Sequence, residues 1–152
     1  MNKATSYELF GNVLTFRARP SDGAPVLLIS CRTAPGAGAP PNHHAGDEES
    51  FCIIRGTYEF TVADQTRHCT AGDTVHIPTG AVHSFRNIGA DTAEMLIMNH
   101  PGRQHEAMFS TLGQPVPLGA EPQAPAGPPP AEAMRALIAA AAACGVEILP
   151  PG

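Results

Sequence analysis

The chain has 152 residues, 43% of them hydrophobic, with a mean hydropathy of -0.07, which suits one domain with a real core and excludes a disordered polypeptide. Its formal net charge is -5 and its nine Lys and Arg residues are scattered, so no basic stripe exists to neutralise phosphates; nucleic acid and anionic membranes are not expected partners. The opening MNKATSYELFGNVL lacks the apolar core of a signal peptide, and no apolar run reaches the ~18 residues of a membrane span, so cytoplasmic residence is expected.

From Tyr7 to about Met98 the sequence is a series of short β-rich runs: VLTFRAR, PVLLISCRT, SFCIIRG, TYEFTVA, DTVHI, AVHSFRN and AEMLIMN. Gly, Pro, Asp and Asn punctuate them, a pattern that predicts an all-β sandwich or barrel of antiparallel neighbours. Gly56, between Ile54 and Tyr58, is expected to close a hairpin, and Gly72-Asp73 to open a strand over Thr74–Ile77. Past Asn99, PGRQHEAMFSTLG reads as a short helix closed by Gly113, and the proline-dense stretch 115–130 as an extended connector. AEAMRALIAAAAACG then reads as a docking helix with Met134, Leu137, Ile138 and Ala141 on one face and Gly145 as its stop. The closing VEILPP either adds a strand or lies along the barrel wall. The expected organisation is a barrel over 1–100 and a C-terminal extension over 101–152. Cys31, Cys52, Cys69 and Cys144 form no C-x-x-C pair and are expected to be reduced, mostly buried thiols.

Two stretches carry chemistry. GDTVHIPTGAVHSFRN places Gly72, Pro78, Gly80, His83 and Asn87 at a spacing that resembles the second signature of the cupin superfamily at every fixed position. GAGAPPNHHAGDEESFCIIRG fits the frame of the first signature, with Gly36, His44, Glu49 and Gly56 in place but asparagine at position 42, where that signature has a histidine. The resemblance implies a small double-stranded β-helix, the cupin jelly-roll barrel, with short C-terminal helices. The order of barrel, helix, connector, helix and VEILPP ending is similar to single-domain cupins described as quercetinase-like.

Strand alternation orients these residues. If 42 and 44 face inward, His43 faces outward, and Glu49, Phe51 and Ile53 share the inward parity of the next strand. A one-residue bulge would instead turn His43 inward beside His44. The resemblance implies metal ligation by His44, Glu49 and His83, a two-histidine, one-carboxylate set, with Asn42, or alternatively His43, as a further ligand. The cofactor implied is a divalent transition metal, with iron, nickel, cobalt, manganese and zinc not separable. The expected function is a metal-dependent, dioxygenase-like enzyme acting on a small aromatic or enediol, flavonol-like molecule. Glu49 would be the catalytic proton acceptor and Phe51, Ile53 and Phe85 the substrate pocket. The alternative is a non-catalytic small-molecule-binding or sensor protein with a degenerate metal site. His68, His76, His100 and His105 read as surface or hydrogen-bonded histidines, and Asp47 and Glu48 as solvated acids. Outward-facing Cys52 and Ile54 call for cover by a second subunit, so a homodimer is expected.

Overall fold

A computed structural model describes residues 4–150. The strands are β1 (Thr5–Leu9), β2 (Asn12–Ala18), β3 (Leu27–Thr33), β4 (Gly38–His44), β5 (Glu48–Arg55), β6 (Tyr58–Val62), β7 (Gln65–Cys69), β8 (Thr74–Ile77), β9 (His83–Asn87), β10 (Ala93–His100), β11 (Gln114–Val116) and β12 (Val146–Ile148). Two helices, α1 (Arg103–Leu112) and α2 (Ala131–Ala143), belong to the C-terminal extension. The strands form a seven-stranded sheet ordered β11-β1-β2-β3-β10-β5-β8 and a five-stranded sheet ordered β12-β4-β9-β6-β7, with every pairing antiparallel. This is the all-β jelly roll expected from the sequence. Among the described residues, no helix is long and apolar enough to cross a membrane.

The core follows from alternation. Leu27, Ile29 and Cys31 of β3, Met95 and Ile97 of β10, and Glu49, Phe51 and Ile53 of β5 point inward and are buried, while Glu94, Leu96 and Met98 point outward. Phe51 packs on Phe60 and Phe85 with ring centroids 4.9 and 5.8 Å apart, filling the space between the sheets; each buried aromatic contributes about 1.5–3 kcal/mol before entropy is subtracted. Asn87 of the second signature is structural: its side-chain amide donates to the carbonyls of Thr33 and Asp91 and accepts from the Gly89 N–H, pinning the β9–β10 turn.

Two local expectations change and an open one is resolved. Gly56 does not close a hairpin, because β5 pairs with β10 and β8 whereas β6 pairs with β7 and β9; the chain crosses between sheets there. Its φ of 84° and an approach that would put a Cβ 2.7 Å from the Ala93 Cβ require glycine at that crossing. The proline-dense connector is not wholly separate from the barrel, since β11 pairs with β1 at its start. VEILPP resolves in favour of a strand: β12 pairs with β4, setting Val146, Glu147 and Ile148 opposite His44, His43 and Asn42. The four cysteines are free, Cys31 and Cys69 buried and Cys52 and Cys144 half-buried.

Candidate metal centre

Four side chains converge where the two sheets and α1 meet. His44 ends β4, Glu49 lies near the start of β5, His83 begins β9, and His105 sits in the first turn of α1. All four are buried. The Nε2 atoms of His44 and His83 lie 2.9 and 3.0 Å from Glu49 Oε2, and His105 Nε2 lies 3.8 Å from the same oxygen. The His44 ring stands nearly perpendicular to both others, at 90° to His83 and 87° to His105. His44, Glu49 and His105 form a cluster whose ligand atoms lie within 4.8 Å of one another.

What fixes the rings is on their far sides. The Nδ1–H of His44 donates to the Asp47 carbonyl at 2.9 Å, and that of His83 to the Ala81 carbonyl at 2.8 Å. A carbonyl only accepts, so both Nδ1 atoms carry the proton and each neutral ring presents the bare lone pair of Nε2 to Glu49. Lone pairs and a carboxylate facing one another repel unless a positive charge lies among them. A proton on the His44 Nε2, or a metal ion, can take that place. Burial pushes the His44 pKa down, but hydrogen bonding and charge from Glu49 outweigh it and raise the net value. Burial pushes Glu49 up, yet the charge of His105 and the hydrogen bonds of His44 and His83 hold it well below the usual carboxylate range. Three imidazoles oriented by outer acceptors around one ionised carboxylate are a donor set suited to a divalent transition ion. Asn99, directly opposite Glu49 in the β5–β10 register, is fully buried with neither amide atom partnered among the described residues, a further polar group available at the same depth.

Asp47 builds the α1 side of the centre. Its carboxylate accepts from the Gly102 N–H at 2.9 Å and the His105 N–H at 3.1 Å, capping the start of α1 from a distant loop. The same carboxylate accepts the His105 Nδ1–H at 2.8 Å. Burial raises the Asp47 pKa, and the His105 and Gly102 hydrogen bonds more than reverse it, leaving the group below its ordinary value. Gly46 of this loop lies against the helix: a Cβ there would sit 2.4 Å from the end of the Gln104 side chain, which would have to turn aside.

A cavity of about 60 Å³ opens beside these groups, walled by His83, His105 and Asn42 and by apolar side chains including Phe51, Phe85 and Phe109. Residues 30–99, which hold three of the four convergent side chains, match the Cupin domain family. This stretch is a cupin domain. Similar solved structures include a predicted oxalate decarboxylase from Thermotoga maritima (TM-score 0.58, 19% identity, 64% of this chain and 93% of that one). The polyketide cyclase RemF from Streptomyces resistomycificus is also similar (TM-score 0.57, 19% identity, 66% and 80%). So is the cupin domain of Cnp3 from Schizosaccharomyces pombe (TM-score 0.55, 18% identity, 65% and 68%). These likenesses establish the fold. By sequence, 55 residues are 34% identical to mannose-1-phosphate guanylyltransferase 2 of Escherichia coli O157:H7, a match covering 36% of this chain and 11% of that enzyme.

The cupin fold brings His44, Glu49 and His83 together around one carboxylate oxygen. Asn42 lines the cavity, where its amide nitrogen donates to the Pro40 and His83 carbonyls at 3.0 and 3.3 Å, leaving its amide oxygen as the atom that could face an ion. His43 pairs across from Glu147 and faces away from His44. A bulge does occur in β4, between Ala39 and Asn42, where Pro40 and Pro41 interrupt the β9 ladder; lying upstream of Asn42, it leaves His44 inward and His43 outward. Phe51 and Phe85 line the cavity, whereas Ile53 is 1% exposed and packs in the core away from it. Asp47 is not a solvated acid, and of the two alternatives for His105 the hydrogen-bonded one holds: each is 2% exposed, and the two bond to one another at the centre. The one sequence signal for His105 was indirect, the missing imidazole at position 42.

Proposed function

We propose that this cupin-domain protein is a metal-dependent enzyme of oxidative, dioxygenase-like type, acting on a small enediol or aromatic hydroxy compound. The observation that carries the reading is the pair of Nε2 lone pairs, from His44 and His83, aimed at the ionised Glu49 by carbonyls that fix their tautomers. His44, Glu49 and His83 would hold the ion, which when bound would supply Lewis acidity and lower the pKa of a substrate hydroxyl. Glu49 accepts the proton so released. A carboxylate kept this strongly ionised is a weak base, so the transfer is matched only when the donor's own pKa is lowered too. Phe51, Phe85 and Phe109 exclude water from the reacting atoms.

The size of the cavity narrows the substrate. About 60 Å³ holds only a few waters, so a compact diol or hydroxy acid is a better match to the cavity than a flavonol. Oxygen uptake by the metal-loaded protein with a panel from small enediols to flavonols tests the proposal. Uptake confined to small chelating substrates is the expected result, and none with any member contradicts it. The largely apolar wall of the cavity also favours a second reading, a small-molecule sensor without turnover. Thermal stabilisation by a ligand in chelator, unaffected by metal, would support that reading instead.

A further inference from the structure

We propose that His105 is the ligand that position 42 does not supply, and that a bound ion therefore latches the C-terminal extension onto the barrel. The inference rests on the metal reading above and concerns which part of the chain completes the centre.

Its ground is geometric. His105 lies on α1, outside the two signature stretches, yet its Nε2 is 3.8 Å from Glu49 Oε2. Two donors on one transition ion, each at ~2.1 Å, are separated by at most about 4.2 Å, so this spacing is compatible with a shared ion. The orientation agrees with the distance. Asp47 accepts the Nδ1–H, leaving Nε2 as the free lone pair, in the carboxylate–histidine arrangement that sets up a metal ligand. Asn42 does not duplicate an imidazole: with its amide nitrogen donating to two backbone carbonyls, it has only an amide oxygen to offer, a harder and weaker ligand.

The consequence concerns the extension. His44, Glu49 and His83 belong to three barrel strands, whereas His105 belongs to a helix that also carries Met108 and Phe109 into the cavity wall. An ion bound to His44, Glu49 and His105 ties α1 to both sheets at once. The apo contacts of α1 to the barrel at this end run through Asp47, so the ion adds a second tie beside the first. Metal then controls access to the cavity as well as its chemistry: the loaded centre keeps α1 closed and the empty one releases it more readily.

Cobalt(II) titration of the full chain and of His105→Gln, followed by visible absorption and by hydrogen exchange, tests this without reference to activity. The expected result is one tight site in the wild-type chain. His105→Gln should bind at least about tenfold more weakly with an altered ligand-field spectrum. Amides of α1 should exchange more slowly on loading in the wild type and not in the variant. Circular dichroism establishes that the variant is folded, and exchange in the wild type with and without cobalt is informative even if it is not. Equal affinity and spectrum in the two proteins, or α1 exchange in the wild type indifferent to cobalt, overturns the latch while leaving the metal reading standing. A wild-type chain that takes up no cobalt overturns both.

Discussion

Asp47 is the residue whose loss is expected to be felt most widely, because one buried carboxylate satisfies two backbone N–H groups of α1 and the His105 ring. Asp47→Ala leaves these donors without an acceptor, at ~1–3 kcal/mol for each buried group, so urea denaturation is expected to show a loss of about 3 kcal/mol or more. Asp47→Asn, which keeps one acceptor oxygen, is expected to lose roughly half as much. Cys31 gives a second prediction. Burial pushes its thiol from the ordinary 9.0 up to about 12, with the Thr33 hydroxyl opposing weakly. The unfolded chain ionises near 9 while the folded one keeps its proton, so the contribution is intact below pH 9. It is lost as pH rises toward 12, at about 1.4 kcal/mol per unit. Denaturant midpoints measured from pH 8 to 10.5 should fall more steeply in the wild type than in Cys31→Ala. At this scale the sequence was partly legible: His44, Glu49 and His83 stand at fixed positions in recognisable frames. His105 and Asp47 were hidden because their pairing spans 58 positions and neither belongs to a local pattern.

At the scale of elements, legibility followed hydrophobic alternation. β3, β5 and β10 alternate cleanly and were readable, whereas four of the five residues of β7 are exposed and its polar run QTRHC carries no inward face to announce a strand. β4 was obscured by Pro40 and Pro41, which mark its bulge. The face of α2 was correctly anticipated, with Ala141 buried and Met134, Leu137 and Ile138 half-buried. What α2 accomplishes depends on β12, which follows it and seals the free edge of β4 with Val146 and Ile148. Deleting residues 131–152 removes both side chains from the cavity wall. The expected cost is a few kcal/mol, or a drop in melting temperature on the order of 10 °C, with aggregation on gel filtration. An unchanged melting curve and elution volume would contradict a docked extension.

For the whole molecule, the outer face of the seven-stranded sheet is the unfinished surface. Leu96 and Met98 of β10 and Ile54 of the neighbouring β5 are 36%, 43% and 50% exposed, an apolar patch on adjacent strands that a second copy of the chain would cover. If so, Leu96→Glu should shift sedimentation from dimer toward monomer without lowering metal content, and a wild-type chain monomeric at high concentration would contradict it. The molecule's chemistry turns on a single question, whether an ion sits among His44, Glu49, His83 and His105. Anomalous scattering from crystals of protein purified without a metal-affinity column answers it most directly. One divalent transition ion per chain, contacted by Glu49 and by the Nε2 atoms of the histidines, is the predicted result. A centre that stays empty after soaking in iron, manganese and cobalt, or an ion bound elsewhere, would contradict the account.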